Sequence, residues 1–161
     1  MKLKLGRFFL PVLGLVCMLL LSCRDNSVLV NVYQKTTNLQ WAYIDKVRIP
    51  VKVKDTLTGY TLYLNLRHTT DYKYSNVFVL IHQTNPDGVK FSERKEFTLA
   101  VPDGAWLGAG SGGLYNHQIP FRMDYHFPEK GTYIFELEQN MRDNPLHNIS
   151  DVGLRIEKNK E

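Results

Sequence analysis

Apolar and polar residues alternate through much of the chain. In residues 60–67, for example, Leu62, Leu64 and Leu66 fall on one face and polar or aromatic residues on the other. A period of two predicts β-strands with one buried face. The pattern predicts strands at 28–33, 47–54, 60–67, 76–83, 91–101, 118–127, 132–138 and 152–158. No segment keeps a helical period over three turns.

Some of these segments also indicate their place in a sheet. Pro50 has no N–H to give to a neighbour, which predicts an edge position for strand 47–54. The dense apolar run 76–83 is typical of a central strand. In strand 91–101 we expect a kink near the charged residues 93–96. In strand 118–127 we expect one shared face for Phe121, Met123, Tyr125 and Phe127.

About eight strands separated by turn sequences predict an all-β fold, either an antiparallel β-sandwich or a jelly roll. The turn at residues 85–88 reads Asn-Pro-Asp-Gly. There Pro presets φ and Gly accepts a positive φ. The sequence therefore predicts one β-sandwich domain, which we assign to residues 41–161.

The N-terminus has the order of a secretory signal peptide, which we assign to residues 1–22. Three basic residues, Lys2, Lys4 and Arg7, precede an apolar run over 8–21. That run is shorter than the roughly 20 residues that a membrane-spanning helix needs. An ordinary signal peptide or an uncleaved anchor is the alternative interpretation.

Cys23 directly follows this run and the small residue Ser22, as in the lipobox of bacterial lipoproteins. We therefore predict lipidation of Cys23, and a tether over residues 23–40. Cys17 lies in the apolar run and would leave with it, so the mature chain would have no disulfide. In some lipoproteins a cluster of acidic residues after the lipidated Cys marks export to the cell surface. Here Asp25 alone is a weak match to such a cluster. The weakness of the match favours the periplasmic face of the outer membrane.

The charge balance argues against a nucleic-acid partner. The whole chain carries a formal charge of +4, but three of its basic residues lie in the predicted signal peptide. The remainder has 17 basic and 16 acidic side chains. No basic footprint for nucleic acid is left.

A glycine-rich segment between two predicted strands, residues 102–116, is the candidate functional loop. Long connections of this kind are often functional, and glycines let another backbone approach closely. The candidate partner-binding residues are Asp103, Trp106, Gly108, Gly110, Tyr115 and His117. The alternative is structural: Trp106 tucks under the sandwich and the glycines bridge two sheets.

Catalytic and metal-binding motifs do not emerge from the sequence. The five histidines are scattered, without an HExxH or HxH pattern, and there is no GxSxG. We therefore predict a protein that is not an enzyme and that holds no metal and no cofactor. For the C-terminal region we expect Arg142 to pair with Asp151.

Several short segments resemble the gliding motility lipoprotein GldH family in order and spacing. They are residues 66–76, the Trp-Leu-Gly-Ala-Gly run at 106–110, residues 138–142 and residues 149–157, with a lipobox at 20–23. The resemblance implies an accessory lipoprotein of the gliding and type IX secretion machinery of Bacteroidota. It implies other envelope proteins as partners and supplies no catalytic residue.

A second class of function stays open. Jelly rolls often bind sugars on aromatic platforms, and Trp41, Trp106 and Tyr115 are available for one. A carbohydrate-binding module of the cell envelope is therefore the alternative to an interaction subunit. This alternative is an analogy at the level of the fold.

Overall fold

A computed structural model describes residues 27–159 of the 161-residue chain, which form eleven strands and no helix. The predicted signal peptide and Cys23 lie outside the described residues. The strands are β1 (Val28–Lys35), β2 (Gln40–Trp41), β3 (Val47–Val53), β4 (Tyr60–Thr69), β5 (Asn76–Thr84), β6 (Lys90–Thr98), β7 (Ala109–Ser111), β8 (Leu114–Tyr125), β9 (Gly131–Gln139), β10 (Leu146–His147) and β11 (Ile149–Lys158). None of the described residues forms a membrane-spanning helix.

The strands form two main antiparallel sheets. One has five strands in the order β1-β11-β4-β8-β7, and the other has four in the order β3-β9-β5-β6. A short β10-β2 ladder lies beside them. The predicted all-β sandwich is confirmed, and its eight long strands are those that alternation predicts. The three two- or three-residue strands have no such signal in the sequence.

The core lies between the sheets and is built from the inward positions of each strand. Leu62, Leu64 and Leu66 are fully buried, as are Tyr133 and Phe135 of the facing sheet. Burying one such side chain contributes about 1.5 to 3 kcal/mol relative to leaving it exposed. The period-two pattern thus accounts both for the strands and for the face that each one buries.

The position of two strands in the second sheet follows the prediction. β3, which contains Pro50, is an edge strand, and β5 is internal between β9 and β6. An edge position lets proline stand in the ladder without leaving a neighbouring carbonyl unpaired. Strand β6 differs from expectation because it pairs with β5 in one uninterrupted register, without a kink at 93–96.

Two further expectations are wrong. Met123 does not share an inward face with Phe121 and Phe127, because two register shifts between β4 and β8 turn it outward, where it is 76% exposed. Asp151 does not pair with Arg142, which is exposed. Oδ2 of Asp151 instead lies 4.0 Å from Nη1 of Arg67, the residue opposite it on β4.

Strand β1 is held against the sheet by a close approach of two backbones. A Cβ at Gly153 would lie 1.8 Å from the carbonyl oxygen of Val32, so only glycine fits there. Buried Asn65 donates through Nδ2 to Oδ1 of Asn31 and to the Val32 carbonyl, at 2.9 and 3.1 Å. The sheet therefore takes in residues 28–35, part of the range that the sequence analysis assigns to the tether.

The sandwich has two ends with different contents. The first, which we call the Ser27 end, holds Ser27 and the turns at 54–59, 85–89 and 126–130. Its strand ends are joined by hydrogen bonds from the Lys158 amide to the Ser27 carbonyl, at 2.8 Å, and from the Asn159 amide to the Gly59 carbonyl, at 2.9 Å. The opposite end, the glycine-loop end, holds the connection between β6 and β8.

Candidate functional site

The connection between β6 and β8 is the predicted glycine-rich loop, and it is folded back onto the sandwich. Residues 109–111 form β7, which pairs with the start of β8. The two residues between these strands, Gly112 and Gly113, both have positive φ, 57° and 80°. That is the requirement of a type I′ hairpin turn. These two glycines are therefore explained by the turn itself.

Two other glycines are explained by aromatic rings that lie against them. A Cβ at Gly108 would come within 2.6 Å of Nε2 of His117. A Cβ at Gly110 would lie 3.0 Å from Cε1 of Tyr115. Much of the glycine content of the loop thus serves the loop's own packing on β8.

Trp106 lies between the two interpretations that the sequence leaves open. Its ring is partly buried against the core and its centroid is 4.4 Å from that of His68. Its backbone forms an isolated bridge with Ala100, and the next amide, of Leu107, donates to the Leu99 carbonyl at 2.8 Å. The apolar side chain that the loop presents to solvent is Leu107, which is 58% exposed.

Beneath the loop lies a pair of buried histidines from adjacent strands. His68 of β4 is 0% exposed and His117 of β8 is 3% exposed. Their Nε2 atoms are 2.9 Å apart. The register places Tyr115 opposite His68 and Leu66 opposite His117, so the two imidazoles are diagonal neighbours on one face of the sheet.

The hydrogen bonds assign a tautomer to each ring. Nδ1 of His68 lies 2.8 Å from the Thr69 carbonyl oxygen, which can only accept, so Nδ1 carries the proton. In the neutral ring Nε2 of His68 is then an acceptor. It follows that Nε2 of His117 donates to it. The pair is satisfied only while both rings are neutral or share a single positive charge.

Burial keeps both imidazoles neutral at pH 7. The pKa of His117 is lowered to about 4, first by burial and then by the neighbouring His68. Burial also lowers the pKa of His68, while its bond to the Thr69 carbonyl acts in the opposite direction. Desolvation disfavours the charged form of an imidazole, which is why both shifts are downward.

The rings of Tyr72, Trp106 and Tyr115 surround His68, with centroids 5.2, 4.4 and 5.7 Å from its own. This cluster, which we call the histidine cluster, consists of His68, His117 and these three aromatic residues. It fastens the loop to the sandwich through ring contacts and one buried hydrogen bond. Within residues 27–159 no group of three or more His, Cys, Asp or Glu side chains could hold a metal ion together.

The structure brings together five of the six candidate loop residues. Trp106, Gly108, Gly110, Tyr115 and His117 all lie at the histidine cluster. Asp103 does not; it is exposed and accepts the Ala105 amide in a turn, at 3.0 Å. Sequence reasoning missed His68, although that residue continues the inward phase of Leu62, Leu64 and Leu66.

The aromatic residues considered for sugar binding do not form a platform. Trp41 is buried in the core and donates through Nε1 to the Asp45 carbonyl at 3.0 Å. The planes of Trp106 and Tyr115 are inclined by 43°. A flat stacking surface built from these three residues is therefore excluded.

Comparison with known proteins identifies the relatives of this chain. Residues 28–156 match the profile of a family described as GldH lipoprotein. The gliding motility lipoprotein GldH homolog of Christiangramia forsetii is 32% identical over 126 residues, which cover 74% of this chain and 78% of that protein. The gliding motility lipoprotein GldH of Flavobacterium johnsoniae is 29% identical over 153 residues, covering 91% and 94% of the two chains.

No solved structure matches the chain. The matched family segment covers both main sheets and the histidine cluster, since it runs from the first residue of β1 to Ile156 of β11. The match therefore concerns the whole sandwich rather than one motif. The chain belongs to the GldH family of gliding motility lipoproteins.

Proposed function

We propose that this lipoprotein is acylated at Cys23, faces the periplasm from the outer membrane, and acts as an accessory subunit of the gliding and type IX secretion machinery. It works by binding other envelope proteins rather than by catalysis. Family membership and the lipobox at 20–23 support the anchor and the cellular process. The binding surface is the glycine-loop end.

One observation carries the choice of surface: β7 is a short, glycine-containing edge strand at the end of the five-stranded sheet. Edge strands present backbone donors and acceptors that another chain can pair with. Ala109 and Gly110 offer little steric hindrance on this edge, and exposed Leu107 lies two residues before it. The histidine cluster holds this edge in place before a partner arrives.

The surface is tested by Leu107→Ser in cells, with crosslinking of the lipoprotein to its envelope neighbours as the measurement. Leu107 is exposed, so the substitution should leave the fold intact while weakening crosslinks and reducing secretion. Val89→Ser is the matched control, because Val89 is also an exposed aliphatic residue but lies at the Ser27 end. Crosslinks that respond equally to both substitutions would rule out the glycine loop as the docking surface.

The anchor is tested separately with Cys23→Ala. Without the thiol no diacylglycerol can be attached, so the protein should lose its membrane association or stay unprocessed. Membrane fractionation together with the mass of the N-terminal peptide measures both results. A processed Ala variant that still fractionates with membranes would contradict acylation as the anchor.

A further inference from the structure

The Ser27 end carries exposed apolar side chains at the point where the chain enters the sandwich. Leu57 is 90% exposed in the turn between β3 and β4, and Met123 is 76% exposed on β8. Exposed apolar side chains also occur at the glycine-loop end, where Ile44 is 87% exposed, so what distinguishes the Ser27 end is that the chain enters the sandwich there.

Hydrogen bonds tie both residues to the entry point. The Lys158 amide donates to the Ser27 carbonyl at 2.8 Å, while its Nζ lies 2.9 Å from Oδ2 of Asp55. Oδ1 of the same Asp55 accepts the Leu57 amide at 3.0 Å. On the other side, Nδ2 of Asn159 donates to Oδ1 of Asp124, the residue after Met123, at 3.0 Å.

The length of chain before Ser27 limits how far this end can be from an anchored Cys23. Four residue steps separate Cys23 from Ser27, and fully extended they span at most about 14 Å. The ten residues of β11 run about 33 Å from one end of the sandwich to the other. When the strands are perpendicular to the membrane, an anchored Cys23 can therefore place the Ser27 end at the membrane but cannot place the glycine-loop end there.

A sideways arrangement, with β1 along the membrane, is disfavoured by the residues that β1 exposes. They are polar: Asn31, Gln34 and Lys35. The Ser27 end also carries charges of both signs, since Lys54, Asp87, Asp124 and Lys130 are all exposed there. Contact with lipid would accordingly depend on apolar burial more than on long-range attraction.

We infer that the Ser27 end is a lipid-contacting surface, with Leu57 and Met123 inserted at the headgroup boundary and the glycine-loop end directed away from the membrane. The inference depends on the proposed acylation of Cys23. Each side chain adds apolar area to the contact, and the acyl chains hold it there. Because little of the attraction is electrostatic, the contact should persist when the salt concentration rises.

The test uses single-cysteine variants of the full acylated chain, since Cys23 would be blocked by lipid and Cys17 removed. Leu57→Cys and Met123→Cys probe the Ser27 end; Leu107→Cys and Ile44→Cys, at exposed apolar positions of the glycine-loop end, are the matched controls. Each is labelled with an environment-sensitive fluorophore and reconstituted in phosphatidylethanolamine–phosphatidylglycerol vesicles containing nitroxide lipids. Quenching at 57 and 123 should be several-fold that at 107 and 44, in low and high salt.

Three other results would overturn the inference. Equal quenching at all four positions would mean that the sandwich has no preferred orientation. Stronger quenching at 107 and 44 would reverse the orientation. A blue shift at 57 without quenching would mean that a second copy of the chain covers this end. The mass of the N-terminal peptide separates these from a failed anchor, because a chain without an acyl group contradicts the proposed lipoprotein anchor as well.

Discussion

The two ends of the sandwich solve the problem of connecting strands in different ways. The Ser27 end uses short turns held by local hydrogen bonds, such as the Gly88 amide to the Asn85 carbonyl at 3.0 Å. Leu57, in the turn between β3 and β4, is exposed to solvent. The glycine-loop end uses a long connection that folds inward over two buried histidines. The first end is thus specified locally, whereas the second depends on contacts between distant segments.

Buried residues and exposed residues should respond differently to substitution. Of the histidine cluster, His68, His117 and Tyr72 are buried and Trp106 and Tyr115 are partly buried, so substituting these residues should lower the stability of the fold. Leu57 and Leu107 are exposed, so substituting them should affect contacts with lipid or protein without affecting the fold. Substitutions in the two groups of residues should therefore differ strongly in their effect on stability.

The largest loss is expected from His68→Ala. The change removes a fully buried ring, leaves a cavity among three aromatic rings and deprives His117 of its acceptor. We expect a loss of about 2 to 4 kcal/mol in the free energy of unfolding. Urea denaturation of the domain measures it, with His126→Ala as the control because that imidazole is largely exposed. Equal losses in both variants would mean that the cluster does not stabilise the loop.

Gly108→Ala should have a smaller effect through a different mechanism. The new methyl group would lie 2.6 Å from Nε2 of His117, so the loop or the ring must shift. Overpacking of this kind costs about 1 to 3 kcal/mol. Gly110→Ala meets Tyr115 at the milder distance of 3.0 Å and should cost less. Thermal unfolding ranks the two, and the reverse order would contradict the close packing of Gly108.

Acid should weaken the glycine-loop end before it weakens the carboxylate pairs elsewhere. The pKa of His117 is lowered to about 4 in the folded state, against about 6.5 in the unfolded chain. The unfolded chain therefore binds the proton first, and the histidine contribution is complete above pH 6.5 and is lost as the pH falls toward 4. We expect stability to decrease by about 1 to 2 kcal/mol between pH 7 and pH 5.

Urea denaturation at several pH values measures this slope, and His117→Asn supplies the control. Asparagine does not titrate in this range, so its slope between pH 7 and pH 5 should be shallower than that of the natural chain. Parallel slopes would show that the buried imidazoles do not determine the acid response.

The sequence was sufficient for the sheets because each long strand buries one face, which leaves a period of two in the residues. It was insufficient where the ladder is irregular. Met123 falls on the inward phase of its strand, yet the register shifts in β8 turn it toward solvent. Asp151 pairs with Arg67 because β11 and β4 are neighbours, a fact of topology that sequence spacing does not contain.

The sequence predicted the loop residues at the histidine cluster but not His68. The glycines and aromatics of the loop stand out by composition, so five of the six candidate residues do meet in space. His68 lies 49 residues before His117, and only the pairing of β4 with β8 joins them. The inward phase of β4, followed past Leu66, was the signal that could have indicated a buried residue at position 68.

The smallest effects on stability should come from Leu57→Ser and Leu107→Ser. Both side chains are more than half exposed, and the turn around Leu57 is held by Asp55 through the Leu57 amide, not through the leucine side chain. Each variant should therefore unfold within about 0.5 kcal/mol of the natural chain. Their other effects should differ. Leu57→Ser should weaken contact with vesicles and leave the crosslinks to envelope proteins unchanged. Leu107→Ser should weaken those crosslinks and leave contact with vesicles unchanged. If one substitution impaired both the contact with vesicles and the crosslinks, the two ends would not act as separate binding surfaces.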